Sequence, residues 1–215
     1  MSMKKVTKHQ LTLIAGNMFA GKTDDLMRRV RKIRRYSQKK VLVLKPDTDS
    51  RSTRGYIESF DRKRMRAIEV SGKNPETILE AVKKEELRLK KRHRKTTRLD
   101  IIAIDEIQFF EAFGFIKVMD RLLELGHDAI VAGLAFDFKT ERFGATLMLL
   151  EFAQGNFEPI FSFCAKCGRP AILPQRLIDG KPAPLDSPQI LVGGKESYEP
   201  RCLVCFEIPP QIDKK

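Results

Sequence analysis

Gly16-Asn17-Met18-Phe19-Ala20-Gly21-Lys22-Thr23 is the stretch that decides the fold. A short apolar run, Leu11 to Ala15, leads into it, and a helix-like segment, Asp24 to Arg35, follows. Strand, glycine loop, helix is the context that a phosphate-binding P-loop requires. Gly16 and Gly21 let the backbone curl so that successive N–H groups point at phosphate oxygens. The helix adds its positive N-terminal end. In this reading Gly16, Asn17, Met18, Phe19, Ala20 and Gly21 form the cradle. Lys22 reaches the terminal phosphates and the Thr23 hydroxyl holds magnesium. The other reading is a glycine turn before an ordinary helix, which the complete G-x-x-x-x-G-K-T string disfavours.

Outward from the loop, strand and helix patterns alternate. Leu26, Val30 and Ile33 recur at helical spacing, and Asp24 and Asp25 suit the positive end of that helix. Val41 to Leu44 reads as a buried strand stopped by Lys45-Pro46. Asp47 to Arg66 is polar and punctuated, hence loop; Asp49-Ser50-Arg51 and Ser59-Phe60-Asp61-Arg62 read locally as surface turns. Ala67 to Val70 suggests a strand, and Asn74-Pro75 opens a helix through Ile78, Leu79 and Val82. Ile101 to Ile104 is a strong strand. Glu111 to Leu125 is helical, with Phe115, Met119 and Leu122 on one face and Gly126 as its stop. Ala129 to Ala132 is a strand, followed by an irregular stretch from Gly133 to Gly144. The alternation predicts an α/β fold, a parallel sheet with helices on both faces.

The strand Ile101–Ile104 ends in Asp105-Glu106, an apolar strand followed by carboxylates. Beside a P-loop strand, where this strand is expected, Asp105 holds magnesium. Glu106 then lies close enough to the terminal phosphate to accept a proton from an attacking hydroxyl or water. Otherwise the two are exposed acids at a strand terminus.

The 215-residue chain carries a formal net charge of +13. Much of it lies in two runs, from Arg28 to Lys40 and from Lys83 to Arg98. Apart from Tyr36, neither is interleaved with aromatic side chains that would stack single-stranded bases. Two solvated helix faces, with a positive field that draws anionic nucleotides, explain them better than a nucleic-acid partner. No apolar run reaches membrane-spanning length, and Met1 to Gln10 lacks the apolar core of a secretory signal. A cytoplasmic location is the resulting expectation, and disulfides do not suit it.

Near Cys164 the periodic apolar pattern fades and Pro, Gly and Cys rise. This predicts two domains, 1–160 and 161–215. Cys164, Cys167, Cys202 and Cys205 form two C-x-x-C knuckles, which read as a closed tetrahedral zinc site of structural type. Buried free cysteines or a redox pair are the alternatives. The 34 residues between the pairs make a long loop clipped at its base. Gly193 and Gly194 in it allow close backbone approach, and Tyr198 could cover a planar ring. A glycine turn with a packing tyrosine is the commoner meaning. His9, His93 and His127 match no metal or triad spacing.

Taken together, these parts resemble a known family. The loop from Gly16 to Thr23 is similar to the G-x-M-F-[SA]-G-K-[ST] of the type II thymidine kinases. Asp105-Glu106-Ile107-Gln108-Phe109-Phe110 resembles their D-E-x-Q-F-F. Val131 to Leu134, Phe143-Gly144, the cysteine pairs and Val192-Gly193-Gly194 through Tyr198 follow in order.

The resemblance implies a RecA-like P-loop domain and a small zinc domain whose lasso closes over a nucleoside. It implies transfer of the ATP γ-phosphate to the thymidine 5′-hydroxyl, in a homotetramer. Glu106 would be the base. Arg51, Asp105 and Gln108 would join the loop at the phosphate end. Met18, Phe109, Leu134, Phe138, Phe143, Val192, Gly193 and Tyr198 would bind the nucleoside.

Three positions depart from the family. Ala135 stands where an aspartate follows the leucine, Phe60 replaces a histidine, and Pro174 replaces a threonine two residues before the lasso arginine. All leave the phosphoryl-transfer residues intact. The rival readings are a deoxynucleoside kinase with altered base choice, a nucleic-acid-binding P-loop ATPase and a nucleotide-binding regulator.

Overall fold

The computed structural model describes residues 9–49, 52–92, 98–151, 153, 156–189 and 197–211. Its centre is a parallel sheet of six strands. In chain order these are β1 (Leu11–Gly16), β2 (Val41–Pro46), β5 (Ile68–Val70), β6 (Ile101–Ile104), β7 (Asp128–Leu134) and β8 (Phe157–Ile160). They lie in the order β5-β2-β6-β7-β1-β8. The near-continuous apolar runs of β1, β2, β6 and β7 follow from this: all four are interior strands, covered on both faces. β7 lies between β6 and β1, so the expectation that the Asp105 strand adjoins the P-loop strand is corrected. Asp105 nevertheless reaches the loop from the end of β6.

Alternate residues of each strand feed two cores. Ile14, Val43, Ala103 and Ala132 pack under α1 (Lys22–Tyr36) with its Leu26, Met27 and Val30. Leu13, Leu42, Ile102 and Val131 face the other way. There they meet Ile78 and Val82 of α2 (Thr77–Arg92) and Phe115, Met119 and Leu122 of α3 (Ala112–Glu124). Each buried Val, Leu, Ile, Phe or Met side chain among these contributes about 1.5–3 kcal/mol. Residues 28–36 of the first basic run ride on α1 over one face of the sheet, and residues 83–92 of the second ride on α2 over the other. Residues 93–97 lie outside the described set.

Of the expected caps Gly126 holds, while α2 begins at Thr77, so Asn74 and Pro75 lie in the turn before it and not at its N-cap and first position. The Glu111 carboxylate accepts from the N–H groups of Phe113 and Gly114 at 3.0 and 2.7 Å, and Gly126 ends the segment with φ +88°. The loop expected from Asp47 to Arg66 is corrected in part. β3 (Tyr56–Glu58) and β4 (Arg64–Arg66) pair antiparallel as a hairpin, with Ile57 and Met65 buried beneath it. β7 also runs to Leu134, so the irregular stretch begins at Ala135.

Beyond β8 the strands are short. β9 (Ser162–Phe163) pairs with β10 (Pro170–Ala171), and β11 (Leu173–Ile178) pairs with β12 (Lys181–Pro182) and β13 (Ser197–Arg201). Pro174 stands opposite Pro200 in the β11–β13 ladder. Neither can donate, and the ladder accepts them because alternate antiparallel pairs exchange no hydrogen bonds. No described helix is long and apolar enough to cross a membrane.

Candidate functional site

The glycine loop leaves β1 at Gly16. A Cβ there would lie 2.1 Å from the carbonyl oxygen of Ile160, so β8 closes against it only because the side chain is missing. Gly21 precedes α1 with φ +83°. Phe19 also sits at positive φ, 60°, a strained choice for a bulky residue.

Three contacts brace the loop through Asn17. Its side-chain oxygen accepts the Met18 N–H at 2.7 Å, and its amide donates to the Leu173 carbonyl of β11 at 2.8 Å. Its own carbonyl accepts the Lys22 ammonium at 2.6 Å. The buried Lys22 is thus held across the loop it is expected to serve.

Thr23, next in α1, donates its hydroxyl to Asp105 at 2.8 Å. Burial, and then the neighbouring charge of Glu106, pushes the Asp105 carboxyl up to about 7, against the pull of Thr23, the Glu106 N–H and Lys22. Glu106 takes a left-handed conformation, φ 53° and ψ 43°. Its carboxylate accepts from the amide of buried Gln108, whose oxygen accepts the Leu134 N–H at 3.1 Å. Gln108 therefore stands behind Glu106 and ties it to the end of β7.

These groups open onto one cavity of about 780 Å³. Gly21, Lys22, Thr23, Asp105 and Glu106 line one region, Met18, Leu134 and Tyr198 contribute apolar and aromatic wall, and hairpin residues Glu58–Arg62 complete it. Phe109, Phe138 and Phe143 are not among the lining residues. Phe143 packs edge-on against Phe109 at 5.7 Å, and Phe138 lies under the Arg176 guanidinium at 4.9 Å. Arg176, wholly buried, also lies 5.9 Å from the Tyr198 ring and donates to the Pro188 carbonyl at 2.5 Å. Asp137 is committed to its own loop: it accepts the N–H groups of Lys139 and Glu141, both at 2.9 Å, and the Gln189 amide at 2.6 Å. Arg51, Val192 and Gly193 lie outside the described residues.

Sequence reasoning missed Lys45, which it treated as a strand stop. Its ammonium is buried at the end of β2, 2.6 Å from the Ser52 hydroxyl and 3.6 Å from carboxylate oxygens of both Asp49 and Glu69. The Ser52 hydroxyl donates in turn to Asp49 at 2.5 Å. A lysine ending a buried strand, with acids soon after it, was the available signal.

The four cysteines converge. Their sulfurs all lie within 4.8 Å of one another, and Cys167 and Cys202 are 3.6 Å apart. Disulfide sulfurs would be about 2 Å apart. Sulfurs around a tetrahedral zinc at about 2.3 Å are separated by about 3.8 Å, so this cluster fits that ion. Burial would raise the Cys164 thiol, but N–H donors from Cys202, Lys166 and Cys167 bring it down to about 6. Gln175 of β11 clamps the backbone of Glu207, just past the second knuckle, with bonds of 3.0 and 2.7 Å.

A parallel sheet with a glycine loop at a helix start and a threonine–aspartate pair beside it defines a P-loop α/β protein. A family model described as thymidine kinase matches residues 9–206. The chain belongs to the thymidine kinase family, and its general activity is that of a kinase.

Proposed function

We propose that this protein transfers the γ-phosphate of ATP to the 5′-hydroxyl of thymidine, giving the nucleoside monophosphate. One observation carries the reading: a single cavity brings Lys22, Thr23, Asp105 and Glu106 together with an apolar wall of Met18, Leu134 and Tyr198. The first group suits phosphates and the wall suits a deoxynucleoside, whose missing 2′-hydroxyl and base methyl need no polar partner.

The loop N–H groups and Lys22 bind and orient the triphosphate. Thr23 and Asp105 offer hard oxygen donors that would hold magnesium. That ion, when bound, neutralises charge developing between the phosphates. Glu106 accepts the 5′-hydroxyl proton as the nucleophile attacks in line, and Gln108 keeps its carboxylate oriented. A lasso closing over the nucleoside, as the family resemblance implies, would exclude water and so limit wasteful hydrolysis. Zinc on the four cysteines would fix the base of that lasso through Gln175 and Glu207. We place the domain division between 1–160 and 161–215, because β8 is the last strand of the large sheet.

Pro174 and Ala135 favour a second reading, a deoxynucleoside kinase of altered base choice. One experiment addresses both. Purified protein is incubated with labelled ATP, magnesium and each nucleoside in turn, with a parallel reaction containing single-stranded DNA. Labelled thymidine monophosphate supports the first reading, and a different labelled nucleotide the second. Hydrolysis to ADP and phosphate that depends on DNA, with no added nucleoside phosphorylated, overturns both.

A further inference from the structure

Only two buried side-chain polar atoms among the described residues lack a hydrogen-bond partner: the hydroxyls of Ser59 and Thr146. Of these only Ser59 lines the cavity. It is 5 % exposed, yet its backbone is fully engaged: its N–H donates to Lys63 at 3.0 Å and its carbonyl accepts from Arg62 at 2.9 Å. A buried hydroxyl left alone is costly and calls for an explanation.

The explanation lies in where the β3–β4 hairpin leans. Phe60, 81 % exposed, sets its ring edge-on against Phe19 of the glycine loop, 46 % exposed, with centroids 5.2 Å apart. Lys63 reaches Asp24 in the first turn of α1 at 3.3 Å. Both contacts join the hairpin tip to the phosphate-binding loop and its helix, rather than to Leu134 or Tyr198. Both are solvent-exposed, and each holds the tip only weakly.

We propose that Ser59 is a ligand-binding residue whose hydroxyl donates a hydrogen bond to the terminal phosphates of the donor nucleotide. The hairpin is the flap that delivers it. The inference rests on reading the cavity as a triphosphate site, and it is separable from the choice of acceptor.

The test is Ser59→Ala, measured by ATP titration in magnesium, by steady-state kinetics and by thermal unfolding without ligand. ATP affinity should weaken at least about tenfold, the loss expected for a hydrogen bond to a charged group. The thymidine KM should stay within about twofold. The ligand-free midpoint should be unchanged or higher, because the variant removes a group with no partner. Unchanged ATP affinity overturns the proposal, as does a loss confined to thymidine. A fall of several degrees in the ligand-free midpoint also overturns it, by giving the hydroxyl a structural role. A protein whose ATP binding weakens in the variant but which phosphorylates no nucleoside leaves Ser59 assigned and removes the kinase reading.

Discussion

The proposed phosphate end and the proposed base end of the cavity are built in different ways. The phosphate end comes from a continuous loop and helix, Gly16 to Thr23, and from the two residues after β6. Its parts are near one another in sequence or stand at the ends of buried strands, and short hydrogen bonds hold them: Thr23 to Asp105, Lys22 to Asn17. The base end is gathered from the end of β7, the glycine loop and β13, with Arg176 of β11 buried behind Tyr198. The departures at Ala135, which follows β7, and Pro174, within β11, fall on the elements that supply or back this wall.

The largest effect that would break this contrast is at Glu106. Glu106→Gln should lower turnover by about a hundredfold to ten-thousandfold while ATP affinity stays within about threefold. Near-normal turnover would remove Glu106 as the base. Next comes the cysteine cluster. Cys202→Ser, or stripping the metal with a chelator, should cost about 4 kcal/mol and lower the unfolding midpoint by roughly 10 °C. Metal analysis should find one zinc per chain, and a metal-free protein of full stability would show that the thiols suffice.

Gln108→Ala should reduce kcat by about tenfold or more. It removes the amide that Glu106 accepts from and leaves the Leu134 N–H without its partner, a loss of about 1–3 kcal/mol. A smaller change is expected from Asn17→Ala, which cuts the bond between the glycine loop and β11. It should raise both KM values about threefold to tenfold, consistent with a bond of about 1 kcal/mol. An effect on ATP alone would show that the two ends are not joined there. The smallest is Pro174→Thr. Opposite Pro200 it disturbs no ladder bond, so stability should move by less than about 1 kcal/mol, with a shift of a few fold in preference between thymidine and deoxyuridine.

What could be read from the chain tracks the same contrast. β1, β2, β6 and β7 were legible because burial on both faces leaves unbroken apolar runs. The glycine loop, Asp105-Glu106 and the cysteine knuckles were legible because their chemistry needs fixed spacings. The β3–β4 hairpin was not, since each strand has three residues and buries one side chain, Ile57 or Met65, within a charged segment. The position of β7 between β6 and β1 leaves no local mark, because strand order is decided by crossovers. The engagement of Asp137 with its own loop, and of Asn17 with Leu173, depends on residues distant in the chain or on turn geometry. Tertiary pairing of that kind separates a pocket acid from a turn acid.

The central claim is that the phosphate end and the base end serve one transfer. The most direct measurement is the fate of the γ-phosphate when the wild-type protein meets labelled ATP, magnesium and thymidine. Label recovered on the 5′-oxygen of thymidine, with little free phosphate, is the predicted result. Free phosphate at the same rate with or without thymidine, and no labelled nucleotide, would contradict it.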